Sequence, residues 1–341
     1  MIREMIANAI EERDLTRAQS KEVMDEIMRG EATPAQIGGF LAAMRMKGET
    51  ADEITGFAQS MRENARTIAP DVPFLADTCG TGGDGAHTYN ISTAAAVVAC
   101  AAGVFIAKHG NRSVSGSSGS ADVLEKLGVA IDLPPEDVAR CIEETGFGFM
   151  FAPVFHAAMK HAIGPRRELG IRTVFNLLGP LTNPAGAAGQ LMGVYAQGHA
   201  ELAARALLNL GVRRAMVVCG KDGLDEISIC APTLVYELKD GEISSYLLDP
   251  RDYGFSFREC EEIKCEGPED NARIITALLN GQTGAKRDIL LLNAGAAIYV
   301  GAGAETLGEG IERAAEAIDS AKAYEKLMAI IEFTRRAKAK T

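Results

Sequence analysis

The chain has 341 residues, 47% of them hydrophobic, and a formal net charge of -11 at neutral pH. That length supports a full hydrophobic core and suits a large domain with a smaller one better than a single compact unit. The acidic balance opposes nonspecific binding to nucleic acid or an anionic membrane, so an anionic ligand must be held by local basic groups.

The N-terminus, Met1-Ile2-Arg3-Glu4-Met5, mixes charges from its start, and no later segment approaches the ~18 apolar residues of a membrane span. A cytoplasmic location is expected. Residues 1–70 read as helices only, and three starts carry capping boxes: Thr16 with Gln19, Thr33 with Gln36, and Thr50 with Glu53. Ile37, Phe40, Leu41 and Met44 form one apolar stripe, and Ile54, Phe57, Ala58 and Met61 another. These faces predict a small helical domain, with a contribution from residues 165–188; residues 71–341 form the second domain.

From residue 72 short apolar runs alternate with helical ones: a strand at 74–78, a helix at 92–102, a strand at 104–108 and a helix at 120–127. That rhythm indicates βαβ units around a central, mostly parallel sheet flanked by helices, an α/β domain. Ser120 is placed to cap its helix and Gly128 to end it; a further helix runs from Pro134-Pro135 to Gly146.

Residues 151–188 interrupt the rhythm. A helix bearing His156 and His161 leads into Gly164-Pro165-Arg166-Arg167 and later Gly179-Pro180, which predict a long ordered loop. With Arg172 it carries three arginines, and it is read as a basic segment crossing between the domains. Beyond it come a strand at 191–195, a helix at 200–210 stopped by Gly211, a strand at 215–219, a hairpin turn at Lys239-Asp240-Gly241-Glu242 and a helical tail. Seven cysteines without CxxC spacing are expected to be reduced, buried thiols.

The chemistry concentrates first in Asp77-Thr78-Cys79-Gly80-Thr81-Gly82-Gly83-Asp84-Gly85, which leads through Asn90, Ser92 and Thr93 into a helix. Gly80, Gly82 and Gly85 satisfy the GxGxxG spelling, but Thr88 to Asn90 delay the helix and the next strand ends in Lys108-His109 instead of an acid. The corner reads instead as a cradle for a phosphate or diphosphate held by loop N–H groups and by Asn90, Ser92 and Thr93 at the helix start. A plain tight turn with a helix cap is the competing reading.

Lys108-His109-Gly110-Asn111-Arg112 and the serine-rich run to Ser120 follow the next strand and should open on the same sheet edge, with Lys108 as a mobile cation. A flexible solvent loop is the alternative there. Asp225-Glu226 could hold magnesium jointly with a diphosphate, or could be a solvated turn. His156 and His161 are spaced by five, which does not suit a helical zinc pair, and His109 suits a structural or a catalytic role equally.

Taken together, Gly80-Thr81-Gly82-Gly83-Asp84, Asn90-Ile91-Ser92-Thr93, Lys108-His109-Gly110-Asn111-Arg112, Ser118-Gly119-Ser120-Ala121-Asp122, Gly179-Pro180-Leu181-Thr182-Asn183-Pro184 and Asp225-Glu226 closely resemble the anthranilate phosphoribosyltransferase family of tryptophan biosynthesis. The resemblance implies transfer of the phosphoribosyl group of 5-phosphoribosyl 1-diphosphate to anthranilate, with inversion at the anomeric carbon, magnesium as cofactor and a homodimer assembled through the helical domain. It implies that Gly80, Gly83, Asp84, Thr88, Asn90, Ile91, Ser92, Thr93, Lys108 and Ser120 hold the phosphoribosyl diphosphate. Ser92, Asp225 and Glu226 would serve magnesium; Gly80, Asn111 and Arg166 would serve anthranilate, with Lys108 and Arg166 as the catalytic pair.

One departure stands at Ser117, where many family members carry lysine or arginine, a change expected to weaken loop closure over the diphosphate. Two other functions compete. A pyrimidine nucleoside phosphorylase resembles this fold but lacks the Gly179 to Pro184 run with Arg166 upstream, and a silent nucleic-acid-binding relative is opposed by the acidic balance and by Asp225-Glu226.

Overall fold

The computed structural model describes residues 1–113 and 118–340. Four helices come first: α1 (Ile2–Ile10), α2 (Arg17–Met28), α3 (Pro34–Lys47) and α4 (Ala51–Glu63). All three capping boxes form: Thr16, Thr33 and Thr50 each accept the N–H three residues on, and the side chain there returns to the cap N–H. Each satisfies two otherwise orphaned donors at a helix start, and a cap of this kind contributes about 1 kcal/mol.

The α/β part follows as β1 (Leu75–Gly80), α5 (Ile91–Ala101), β2 (Phe105–Gly110), α6 (Ser120–Leu127), α7 (Pro135–Thr145), β3 (Phe147–Phe151), α8 (Ala152–Phe155), α9 (Lys160–Leu169), α10 (Phe175–Leu181), β4 (Gly189–Gly193), α11 (Gln197–Asn209), β5 (Arg214–Gly220), β6 (Thr233–Lys239) and β7 (Glu242–Leu248). Helices α12 (Pro268–Leu279), α13 (Ala285–Val300), α14 (Leu307–Asp319) and α15 (Lys322–Lys338) complete it.

The seven strands are ordered β3-β2-β1-β4-β5-β6-β7. Those from β3 to β5 run parallel, and β6 and β7 close the far edge as an antiparallel hairpin. Lys239 pairs with Glu242 across that hairpin, and Asp240 and Gly241 take the positive φ values, 53° and 83°, that its two-residue turn requires. The chain moves outward from β1 to β3 and then returns to β1's other side with β4. The carboxyl ends of β1 and β4 therefore flank the switch point where ligands bind in open α/β sheets.

Helix α5 is apolar on every side because it is enclosed: Ala94 through Cys100 are all buried, and α13 packs along it. On the sheet's other face one hydrophobic core runs from Ile37, Phe40 and Phe57 of the helical bundle through Phe175 and Leu178 to Met192 and Val217.

The segment 151–188 differs from the expected loop. Gly164, Pro165 and Arg166 lie inside α9, and Gly179 and Pro180 lie inside α10. Burial overrides the weak local propensity here, since Ala162, Phe175, Leu177, Leu178 and Leu181 all enter the core shared with the bundle. Helix α9 packs on α2 and α3, and α10 on α4 and α11, so the segment joins the bundle to the helices that flank the sheet. Of the seven cysteines five are buried, Cys230 is partly buried and Cys260 is exposed.

Candidate functional site

Residues 81–90 leave β1 at Gly80, which is in register with Gly193 of β4, and enter α5. Gly82, Gly83, Gly85 and His87 all have positive φ, which turns the chain sharply. The near end of the loop is pinned by Gly82 N donating to Asp225 Oδ2 at 2.7 Å. Its far end is pinned by Tyr89 N to Ile263 O, Cys265 N to His87 O, and Asn90 N to Asn271 Oδ1. Between the pins, among the described residues, the N–H groups of Gly83, Asp84 and Gly85 have no protein acceptor. Consecutive free amides in such a turn form a nest for an anion.

The start of α5 is arranged differently from the expected phosphate seat. Ser92 N donates to Glu226 Oε1 at 3.1 Å, Ile91 N to Tyr89 O, and Thr93 N to Asn90 O. Asn90 faces Asn271, whose Nδ2 donates to its Oδ1, and the Thr93 hydroxyl is buried without a partner among the described residues. The protein's own groups thus occupy this helix N-terminus, and the free donors lie in the preceding loop. Of the oxygens at this start, the Ser92 hydroxyl stands 3.4 Å from Lys108 Nζ.

Lys108 corrects the expectation of a mobile loop cation. It lies within β2, is 1% exposed, and donates to the Thr78 carbonyl beneath the glycine corner. Burial lowers its pKa, while Asp77, Cys79 and Glu226 favour its charge. Asp77 is fully buried beside it, accepting from Asn183 Nδ2 at 2.8 Å and from His109 N at 3.3 Å; burial raises its pKa to about 6. His109 lies 4.9 Å from the His156 ring, which pairs with Thr182 O.

Glu226 is buried and Asp225 partly buried, in contrast to a solvated turn. Glu226 is 9% exposed, and a Cβ at Gly80 would stand 2.5 Å from Asp225 Oδ2. A Cβ at Gly193 would overlap the Asp225 carbonyl oxygen. Burial raises the pKa of both acids; Asp84 adds to the shift at Asp225, and Asp225 adds to it at Glu226. Three carboxylates, Asp84, Asp225 and Glu226, thus converge with Lys108 as the cation that favours the charge of Glu226, an imbalance that a hard divalent cation would relieve.

At the second loop Ser120 is the first residue of α6 and Gly119 takes the cap position, correcting the expected Ser120 cap. Asp122 accepts from Gly119 N at 2.9 Å and Ser113 N at 3.0 Å, while Arg112 bonds Asp122 and Glu125. Ser120 Oγ donates to the Asn111 carbonyl at 3.4 Å. Ser117 lies outside the described residues. Arg166 is half-buried with its guanidinium 4.8 Å from the Phe175 ring centroid, and among the described residues it has no acidic partner. Burial lowers its pKa.

The structure therefore gathers Gly80, Gly83, Asp84, Thr88, Asn90, Ser92, Lys108, Asp225 and Glu226 around one corner. No hydrogen bond among the described residues links Arg166, or the Asn111–Ser120 pair, to it. The residues that reading by motif missed are supports. Asn271 holds Asn90, Asn183 holds Asp77, and Arg172 donates to the Gly83 carbonyl while lying 4.1 Å from the Tyr195 ring centroid. Arg172 and Asn183 stood in stretches already singled out, yet their partners lie 89 and 106 residues away.

Residues 73–324 match the a/b domain of the glycosyl transferase family, and residues 3–65 match its helical bundle domain. Fold and matches together place the chain among two-part glycosyl transferases. It is 54% identical over 334 residues to anthranilate phosphoribosyltransferase of Acetivibrio thermocellus, covering 98% of this chain and 97% of that one. It is 56% identical over 321 residues to the enzyme of that name from Thioalkalivibrio sulfidiphilus, covering 94% and 95%. The crystal structure of the Thermus thermophilus anthranilate phosphoribosyltransferase is similar with a TM-score of 0.92 at 43% identity, covering 97% of this chain and 99% of that one. The Saccharomyces cerevisiae enzyme in complex with PRPP and Mg has a TM-score of 0.90 at 27% identity, with 98% of each chain covered. The chain belongs to the anthranilate phosphoribosyltransferase family.

Proposed function

We propose that this chain transfers the phosphoribosyl group of 5-phosphoribosyl 1-diphosphate to the amine of anthranilate, as a cytoplasmic enzyme of tryptophan biosynthesis. The observation that carries this reading is the juxtaposition of an anion nest at Gly83 to Gly85 with under-compensated carboxylates at the partly buried Asp225 and the buried Glu226. A diphosphate and a divalent cation satisfy both halves together, and neither half is satisfied alone.

In the reaction the anomeric C–O bond breaks with its electron pair leaving on diphosphate, and a C–N bond forms to the amine, which then loses a proton. An aromatic amine is neutral at pH 7, so no strong general base is required. Catalysis consists of positioning and of neutralising the leaving group. The loop amides hold the diphosphate, and Lys108 sets the charge of the floor beneath them. Asp225 and Glu226, with the Ser92 hydroxyl, would hold magnesium, which when bound offsets charge on the diphosphate.

Arg166 is the group on this chain suited to the anthranilate carboxylate: half-buried, unpaired with any acid among the described residues, and stacked on Phe175. Asn111 and Ser120 border the same sheet edge from the second loop. The helical bundle leaves Ile10 and Met46 69% and 89% exposed, apolar atoms that pairing of two bundles in a homodimer would cover.

The test is a fluorescence assay of anthranilate consumption with phosphoribosyl diphosphate and magnesium. Turnover that stops when magnesium is chelated is expected; absence of turnover with all three present would overturn the reading. Arg166→Ala should raise the KM for anthranilate about 10- to 100-fold, the loss of one charge-assisted pair, and leave that for phosphoribosyl diphosphate nearly unchanged.

A further inference from the structure

Away from the glycine corner the loop after β5 and the segment before α12 bring three metal-binding side chains together. The Cys230 and Cys260 sulfurs and a carboxylate oxygen of Asp222 all lie within 4.8 Å of one another, and Cys260 Sγ stands 3.9 Å from Asp222 Oδ2. Ligand atoms at tetrahedral positions around zinc, with Zn–S near 2.3 Å and Zn–O near 2.0 Å, are separated by roughly 3.5–3.8 Å. The observed spacing needs only side-chain rotation to reach that figure.

The carboxylate is also oriented as a ligand's usually is. Ser228 Oγ donates to Asp222 Oδ2 at 2.6 Å and accepts from Cys230 N at 2.9 Å, so one hydroxyl fixes two of the three groups. The third is tied to the same loop by Arg258 N donating to Ile229 O at 3.1 Å. Cys230 is partly buried while Asp222 and Cys260 are exposed, which gives a cation an entry path.

We propose that Asp222, Cys230 and Cys260 form a site for a thiophilic divalent cation of the zinc type, distinct from the oxygen-lined site at Asp225 and Glu226. A water molecule would complete four-coordination. The cation would clasp two segments that both support the glycine corner: residues 221–232 carry Asp225 and Glu226, and residues 260–265 pair with His87, Thr88 and Tyr89. Two thiolates exclude magnesium as the occupant, because soft sulfur ligands select zinc-like ions over hard ones.

Cobalt(II) is the probe, added to fully reduced protein in excess magnesium. A thiolate-to-cobalt charge-transfer band is expected to saturate at one equivalent per chain and to disappear when zinc is added. Cys260→Ser should abolish the band, and Ser228→Ala should weaken cobalt binding by about 10- to 100-fold with the band retained. Cys260 is exposed, so its replacement leaves the core intact, and circular dichroism checks this. No band, or a band undiminished in Cys260→Ser, would overturn the proposal, as would a Cys230–Cys260 disulfide on oxidation with no metal uptake by the reduced protein.

Discussion

The corner between β1 and α5 and the one between β2 and α6 share a plan of strand, loop and helix on neighbouring strands of one sheet edge, yet they are closed by opposite means. The second closes on itself: Asp122 ties down Gly119 and Ser113, three and nine residues back. The first is closed from afar, by Asp225 on Gly82, Glu226 on Ser92 and Asn271 on Asn90, across 143, 134 and 181 residues. A locally closed loop can open without unfolding the sheet, whereas the remotely closed one can open only if other parts of the domain move with it. The diphosphate end of the site is thereby fixed by distant parts of the domain, and the described part of its neighbour by residues of its own loop and helix.

The largest break in this contrast is expected from Asp225→Asn, which removes charge from the metal site and weakens the anchor of Gly82. Its kcat/KM should fall by about 10²–10³, the cost typical of losing one preorganised electrostatic group, with the magnesium dependence shifted upward. A magnesium titration of the variant checks this. An unchanged magnesium dependence would remove Asp225 from the metal site.

Acidification tests the floor of the second corner, where His109 and His156 are buried neutral. Burial is the main cause, and it lowers their pKa values to about 3 and about 4 from 6.5. The unfolded chain takes up these protons first, so this stability is complete above pH 6.5 and is lost as pH falls from there towards 4. The slope is at most about 1.4 kcal/mol per pH unit for each ring. Raised carboxylates such as Asp77 act in the opposite sense, so the measurement is a difference between wild type and His156→Asn in urea unfolding across that window. The variant should show the shallower loss.

Two smaller effects compare the corners directly. Asn271→Ala strands the polar groups of Asn90 and should cost about 1–3 kcal/mol of global stability in urea unfolding. Asp122→Ala should cost about 1 kcal/mol and act locally, speeding hydrogen exchange at the start of α6 while the core amides of β1 stay protected. Equal global costs would erase the distinction between local and remote closure.

The same distinction explains what could be read from the chain beforehand. The capping boxes of Thr16, Thr33 and Thr50, the Asp240-Gly241 hairpin and the βαβ rhythm depend on groups a few residues apart, and all are present. Of the residues the motifs singled out, Gly80, Gly83, Asp84, Ser92, Lys108, Asp225 and Glu226 lie around the glycine corner. They did not reveal that Glu226 fills the α5 N-terminus, that Lys108 is buried in a strand, or that Asn183 braces Asp77, because each depends on strand order and burial. Pro165 and Pro180 misled for a related reason: in short helices, core packing of Phe175 and Leu178 outweighs the local preference for a turn.

Gly193 has no side chain and offers no group for chemistry, yet the backbone of Asp225 occupies the space where its Cβ would lie. Position 193 should therefore tolerate substitution as poorly as Asp225 itself. A survey scored by lost activity would rank the two together, although one of them acts only by being small. The address of the acid is written partly in an adjacent strand, and any attempt to transplant this site onto another scaffold must carry Gly80 and Gly193 along with the charged residues they make room for.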